Sequence, residues 1–170
     1  MWIFHSRAAH DLQARSLASS GDRKDGDVII EDEFVIGHQV DSVFSHFAVG
    51  QRTEWVRGAA EREKLTDGPV GKGTKFRAVD ELGGRRLEAI DEITVYEENR
   101  VLSESWDGKF PGNSEIRFAD ENGSTTVRRH IEINPSGLFR LLAPLLKPLV
   151  KRELNRDLAR FREWIASEAA

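Results

Sequence analysis

The chain contains no cysteine among its 170 residues. That absence removes disulfides, iron–sulfur clusters, thiolate zinc sites and cysteine nucleophiles from consideration. It also fits a reducing compartment, and the expected location is the cytoplasm. Long apolar runs are missing too. The most apolar stretch, "GLFRLLAPLLKPLV" from Gly137 to Val150, is interrupted by Arg140, Pro144, Lys147 and Pro148, and it is shorter than the roughly 20 apolar residues a helix needs to cross a bilayer. The N-terminal "MWIFHSRAAHDLQARSL" lacks the unbroken apolar core of a secretory signal, because His5, Arg7 and His10 break it. A transmembrane span is therefore not expected.

Basic surplus is absent. Lys and Arg number 25 against 29 Asp and Glu, a net charge of −4, which argues against a nucleic-acid partner. Neither G-x-S-x-G nor H-E-x-x-H occurs. "GPVGKGT" (residues 68–74) has glycines but not the P-loop spacing, since Lys72 is followed by Gly73; it reads as a turn between strands. His38 and His46 are too far apart for a helical ligand pair, so no metal site and no cofactor are expected.

What is present fits one globular domain with a genuine core, at 39% hydrophobic and 32% charged residues. Residues 1–27 form an expected mobile extension ending in the polar linker "SSGDRKDGD". The domain is expected over residues 28–168. "VIIEDEFVIG" reads as a strand. Asp41 reads as the N-cap of a short helix with Val43, Phe44 and Phe47 on one face, and "QRTEWVRG" as a second short helix. Six further strands follow as a meander, with hairpin turns expected at Gly83-Gly84 and Asn122-Gly123. Val150, Leu154, Leu158, Phe161 and Ile165 recur at helical spacing, with Lys151, Arg152, Glu153, Arg156 and Asp157 at the other positions. The expected helix runs from about Pro148 to Ser167, after a bend at Pro144 and Pro148. The result is an α+β fold: a seven-stranded antiparallel sheet curled around a long C-terminal helix, with two short helices after the first strand and a cavity between sheet and helix.

Three polar residues share parity with apolar ones. Arg129 falls with Val127, Ile131 and Ile133; Glu104 with Leu102 and Trp106; Asp91 with Leu87, Ala89, Ile93 and Val95. Buried charge is costly unless paired, so Arg129 with Glu104 or Asp91 is a candidate polar cluster on the cavity wall. The same residues could form a purely structural ion pair, or face outward if the register slips by one. If the cluster is catalytic, Glu104 or Asp91 would be the acid or base and Arg129 would stabilise an oxyanion.

The order and spacing of "DSVFSHFAVGQRTEWV", "LTDGPVGKGTKFR", "LGGRRLEAIDEITVYEENRVL" and "GSTTVRRHIEINPSGLFRLLAPLL" resemble the START-like (SRPBCC, helix-grip) superfamily and its polyketide cyclase/dehydrase-like family. The resemblance spans Val28 to Ser167. It implies the helix-grip fold and a cavity for a small hydrophobic molecule, with Trp55 and Phe47 at its mouth. Phe76, Trp106, Arg129, Leu141, Leu142 and Leu145 complete the expected ligand-facing set. Three functions stay open: a binder of a lipid- or polyketide-like ligand, a cyclase or dehydratase using carboxylate chemistry, and a regulatory protein with a vestigial groove. Fold alone does not choose among them.

Overall fold

Alternating side chains produce seven strands, β1 (Val28–Ile36), β2 (Ala59–Lys64), β3 (Lys75–Leu82), β4 (Arg85–Glu97), β5 (Val101–Trp106), β6 (Gly112–Glu121) and β7 (Ser124–Ile133). The computed structural model describes residues 26–48, 52–82, 85–141 and 143–168, so the extension expected at 1–27 lies outside it but for its last two residues. The strands form one sheet in the order β1-β7-β6-β5-β4-β3-β2, every pair antiparallel. The first strand thus pairs with the last, and β1 and β2 are the two edges. Two short helices, α1 (Val40–Ala48) and α2 (Arg52–Trp55), connect those edges.

The β6–β7 turn follows from its residues. Asn122 and Gly123 both have positive φ, 56° and 87°, as a type I′ turn requires, and Glu121 pairs with Ser124. Gly83 and Gly84 lie outside the described residues, but the strands they join pair with Leu82 opposite Arg85.

One face of the sheet is charged and carries cross-strand ion pairs such as Arg128–Glu33 and Arg77–Glu63. Such exposed pairs contribute about 0–1 kcal/mol each. The other face holds the core: Phe34, Ile36, Ile93, Leu102, Ile116, Phe118 and Val127 meet Phe44 and Phe47 of α1, Trp55 of α2, and Phe161 and Ile165 of the C-terminal helix. Phe161 is fully buried and sits 5.1 Å from Phe47 and 5.0 Å from Trp55, ring to ring. Burial of each such side chain contributes about 1.5–3 kcal/mol.

Four local expectations change. Val95 is not on the inner face: the ladder shifts register between Ile93 and Val95, and the extra residue turns Val95 out (36% exposed) while Tyr96 packs on Phe44. α1 begins at Val40, placing Asp41 inside the first turn, where its charge still favours the helix N-terminus. Helix is present as α3 (Leu138–Leu141) and α4 (Ala143–Glu168), with residue 142 outside the described residues, so α4 starts five residues before the expected Pro148 and contains that proline. Pro144 occupies the first turn, whose N–H groups have no intrahelical partner anyway, and Pro148 removes a single bond. Finally, Asp157 does not face outward; it is 7% exposed on the sheet-facing side of α4.

Candidate functional site

Between the sheet and α4 lies a cleft of about 200 Å³. Its apolar lining includes Phe47, Trp55, Trp106, Ile116, Ile131 and Leu154, and its polar lining includes Arg62, Asp91, Arg129 and Asp157. A separate hollow of about 440 Å³, bordered by Asp27, Glu132, Asn134 and Arg140, lies at the end of β7 beside α3 and shares no residue with the cleft.

All three inward-read charges are buried, Asp91 at 8%, Glu104 at 2% and Arg129 at 7% exposure, but they do not form one cluster. Arg129 opposes Ile116, whose other neighbour is Leu102, whereas Glu104 opposes Ser114 and Asp91 opposes Trp106. Arg129 on β7 and Glu104 on β5 are thus separated by the width of β6, roughly two strand spacings of 4.8 Å. The residue directly opposite Arg129 on its other side is Asp32. There Arg129 forms a two-pronged pair, Nε to Oδ1 at 3.0 Å and a terminal nitrogen to Oδ2 at 2.6 Å, the arrangement in which guanidinium and carboxylate fit best.

Asp91 and Glu104 are instead held by Arg62, which the sequence reading passed over. Arg62 opposes Ala78 on β3 and reaches over that strand with its guanidinium 4.3 Å above the Phe76 ring. One terminal nitrogen bonds Asp91 and the other bonds Glu104 at 3.1 Å. The Arg62 side chain is only 5% exposed. β2 reads "AAEREK", nearly all polar, so it carries no alternation from which an inward residue could be picked. Only pairing with Phe76 and Ala78 reveals the face of Arg62.

Asp157 was legible, being three residues after Leu154 and four before Phe161, on the same helical stripe. Its Oδ1 accepts the Arg57 backbone N–H at 3.0 Å, and Arg160 lies 3.8 Å away. Burial pushes its carboxyl above the usual aspartate range, partly offset by the Arg57 N–H and the Arg160 charge.

The remaining expected ligand residues divide. Trp55, Phe47 and Trp106 line the cleft. Trp106 is fixed by donating its Nε1–H to the Phe110 carbonyl at 2.8 Å, and it lies against Gly112, where a Cβ would meet the indole at 2.5 Å. Trp55 Nε1 is buried with no hydrogen-bond partner. Phe76 is 3% exposed and serves as the platform under Arg62 rather than as lining. Leu141 and Leu145 are 76% and 67% exposed and lie away from the cleft, whose lining from α4 is Leu154 and Asp157. Leu142 lies outside the described residues. Among the described residues no group of three or more histidine or acidic side chains is placed to hold a metal ion, and no helix is long and apolar enough to cross a membrane.

A gripped helix, an open antiparallel sheet in which the first strand pairs with the last, and a cleft between them are the marks of one superfamily. The family model for polyketide cyclase/dehydrase and lipid transport proteins matches residues 27–165. The chain belongs to that family. No curated protein matches its sequence. Solved structures share the fold of this family member at low identity. A conserved protein from Geobacillus kaustophilus superposes with a TM-score of 0.70 at 13% identity, over 81% of this chain and 94% of that one. A START superfamily protein from Mycobacterium smegmatis gives 0.66 at 13% identity, over 82% and 97%. The Zhui aromatase/cyclase from Streptomyces sp. R1128 gives 0.64 at 12% identity, over 84% and 93%. Identities this low establish the START-like helix-grip fold and nothing finer.

Proposed function

We propose that this family member binds a small, mostly apolar molecule in the cleft between the sheet and α4, holding one polar group of that molecule against the buried charges. The observation that carries the reading is the lining: aromatic and aliphatic walls with Arg62, Asp91, Arg129 and Asp157 converging on a single space. A few placed polar groups within an apolar pocket is how small-molecule sites achieve orientation as well as affinity. A vestigial groove has no need of such a set.

Volume narrows the ligand. Pockets for drug-sized molecules measure roughly 300–1,000 Å³, whereas about 150 Å³ accommodates benzene. At about 200 Å³ the cleft suits one or two rings, or a short acyl group, in place of a long lipid. The unpaired Trp55 Nε1–H would donate to a carbonyl or hydroxyl oxygen of the ligand. Work in the cytoplasm is part of the proposal, in keeping with the cysteine-free chain.

Acid–base chemistry is the second reading, favoured by one observation: Asp157 borders the cleft with its carboxyl held above the usual range by burial. Such a group is a better proton donor near neutral pH than an ordinary aspartate. Asp91, Glu104 and Arg129 are weaker candidates because Arg62 and Asp32 already occupy them.

Native mass spectrometry of the full-length protein purified from its own cytosol tests the binding reading. Expected is a retained apolar small molecule that Ala78→Leu, which fills the cleft, displaces without unfolding the protein. Trp55→Phe should weaken binding about tenfold, the value of one lost hydrogen bond. Empty protein together with no uptake from a panel of mono- and bicyclic aromatic carbonyl compounds would reject it.

A further inference from the structure

Asp157 of α4 uses only one of its two carboxyl oxygens within the fold. Oδ1 accepts the Arg57 N–H at 3.0 Å and lies 3.8 Å from Arg160, whereas Oδ2 has no hydrogen bond or ion pair among the described residues. The residue is 7% exposed and borders the cleft. An ionised carboxylate only accepts hydrogen bonds, so a partner for Oδ2 has to donate one.

The guanidiniums that border the cleft already hold carboxylates: Arg62 bonds Asp91 and Glu104, and Arg129 bonds Asp32. With Asp157 the set comprises two guanidiniums against four carboxyl groups. Arg160 is 43% exposed at its side chain, where water and salt screen it. Burial raises the Asp157 pKa in spite of the Arg57 N–H, Arg160 and Arg129, with Glu153 adding to the rise, so its neighbours do not compensate the charge in full.

The walls beside this carboxylate are aromatic. Asp157 lies one helical turn before Phe161, whose ring is 5.1 Å from Phe47 and 5.0 Å from Trp55, and Trp106 borders the same space. Aromatic faces attract cations, more strongly where water is excluded. An ammonium group would therefore be held twice, by a charge-assisted hydrogen bond to Oδ2 and by the rings. A hydroxyl supplies the donor without the charge. A carboxylate supplies neither and is repelled by Asp157.

We propose that the molecule held in the cleft is a protonated amine on a body of one or two rings, its ammonium group donating to Oδ2 of Asp157. This inference rests on the binding reading above and names the chemical class that the cleft selects. Asp157 is the specificity-determining residue, and Arg62 and Arg129 serve the fold through their own carboxylates.

Three probes of nearly one shape separate charge from packing: naphthylmethylamine, naphthylmethanol and naphthoate, each titrated by calorimetry into the full-length protein at neutral pH. The amine is expected to bind about tenfold more tightly than the alcohol, the margin of a charge-assisted over a neutral hydrogen bond. Naphthoate should show no measurable binding. In Asp157→Asn, which keeps an acceptor for the Arg57 N–H, the amine should fall to the affinity of the alcohol. Alcohol binding should be retained there, which shows that the cleft is intact. Equal affinity of the wild type for amine and alcohol, tighter binding of naphthoate, or an amine preference that survives Asp157→Asn would overturn this proposal and leave the binding reading standing. Binding of none of the three would overturn both.

Discussion

Asp157 of the long helix accepts a hydrogen bond from the backbone N–H of Arg57, 100 residues earlier, at 3.0 Å. This bond ties the gripped helix to the end of α2 and fixes Trp55 over Phe161. It also buries a carboxylate. The folded-state pKa of Asp157 is raised above its unfolded value by that burial, so its contribution favours the folded state at acidic pH and is lost as pH rises through the raised value. Asp157→Asn keeps the acceptor and removes the charge. The variant is expected to melt at a higher temperature than the wild type at neutral pH, with the difference shrinking as pH falls towards the ordinary aspartate range. Melting curves across pH check this, and a constant difference at all pH values would refute the burial argument.

Arg62 bridges two buried carboxylates, Asp91 and Glu104. Removing it as Arg62→Leu leaves Asp91 and Glu104 buried side by side, and loss of one partner from a buried set costs about 3–5 kcal/mol. The loss should appear as a lower urea midpoint. Restoring stability with Asp91→Asn and Glu104→Gln in the same chain would show that uncompensated charge, not lost packing, is the cause.

Arg129 and Asp32 form a closed pair, 7% and 15% exposed at their side chains. Arg129→Leu should destabilise the fold by about 3–5 kcal/mol, while Arg129→Leu with Asp32→Leu should recover most of it, because two apolar residues replace two compensated charges. A double-mutant cycle by denaturant unfolding measures the coupling. Independent, additive effects would mean that the pair contributes nothing.

Gly112 leaves room for the Glu132 carbonyl of β7 and for the Trp106 indole, which a Cβ there would meet at 2.3 and 2.5 Å. Because β7 backbone must shift as well as the ring, Gly112→Ala should cost about 3 kcal/mol or more through overpacking and displace Trp106 from its place in the cleft. Loss of ligand retention alongside a red-shifted tryptophan emission is the expected pair of readouts.

The architecture was legible because it rests on local chemistry. Alternating parity gave the inner faces of β5 and β7, Asn122-Gly123 gave a hairpin with both φ positive, and the stripe from Val150 to Ile165 gave the gripped helix. Those signals need no knowledge of distant residues. The departures came where a neighbour decides. A bulge in β4 reversed Val95, and Leu141 and Leu145 stand in water although their composition reads as core.

The sequence by itself determined that Asp91, Glu104 and Arg129 share parity with apolar residues of their own strands; that this shared side is the inner face was decided by the fold. Which charges meet was decided only by tertiary structure. The order β1-β7-β6-β5-β4-β3-β2 places Asp32 beside Arg129 and β6 between Arg129 and Glu104, and it brings Arg62 from the far edge across Phe76 to the two carboxylates. Pairing of charges depends on distances of a few ångströms between strands remote in the chain, and strand order sets those distances.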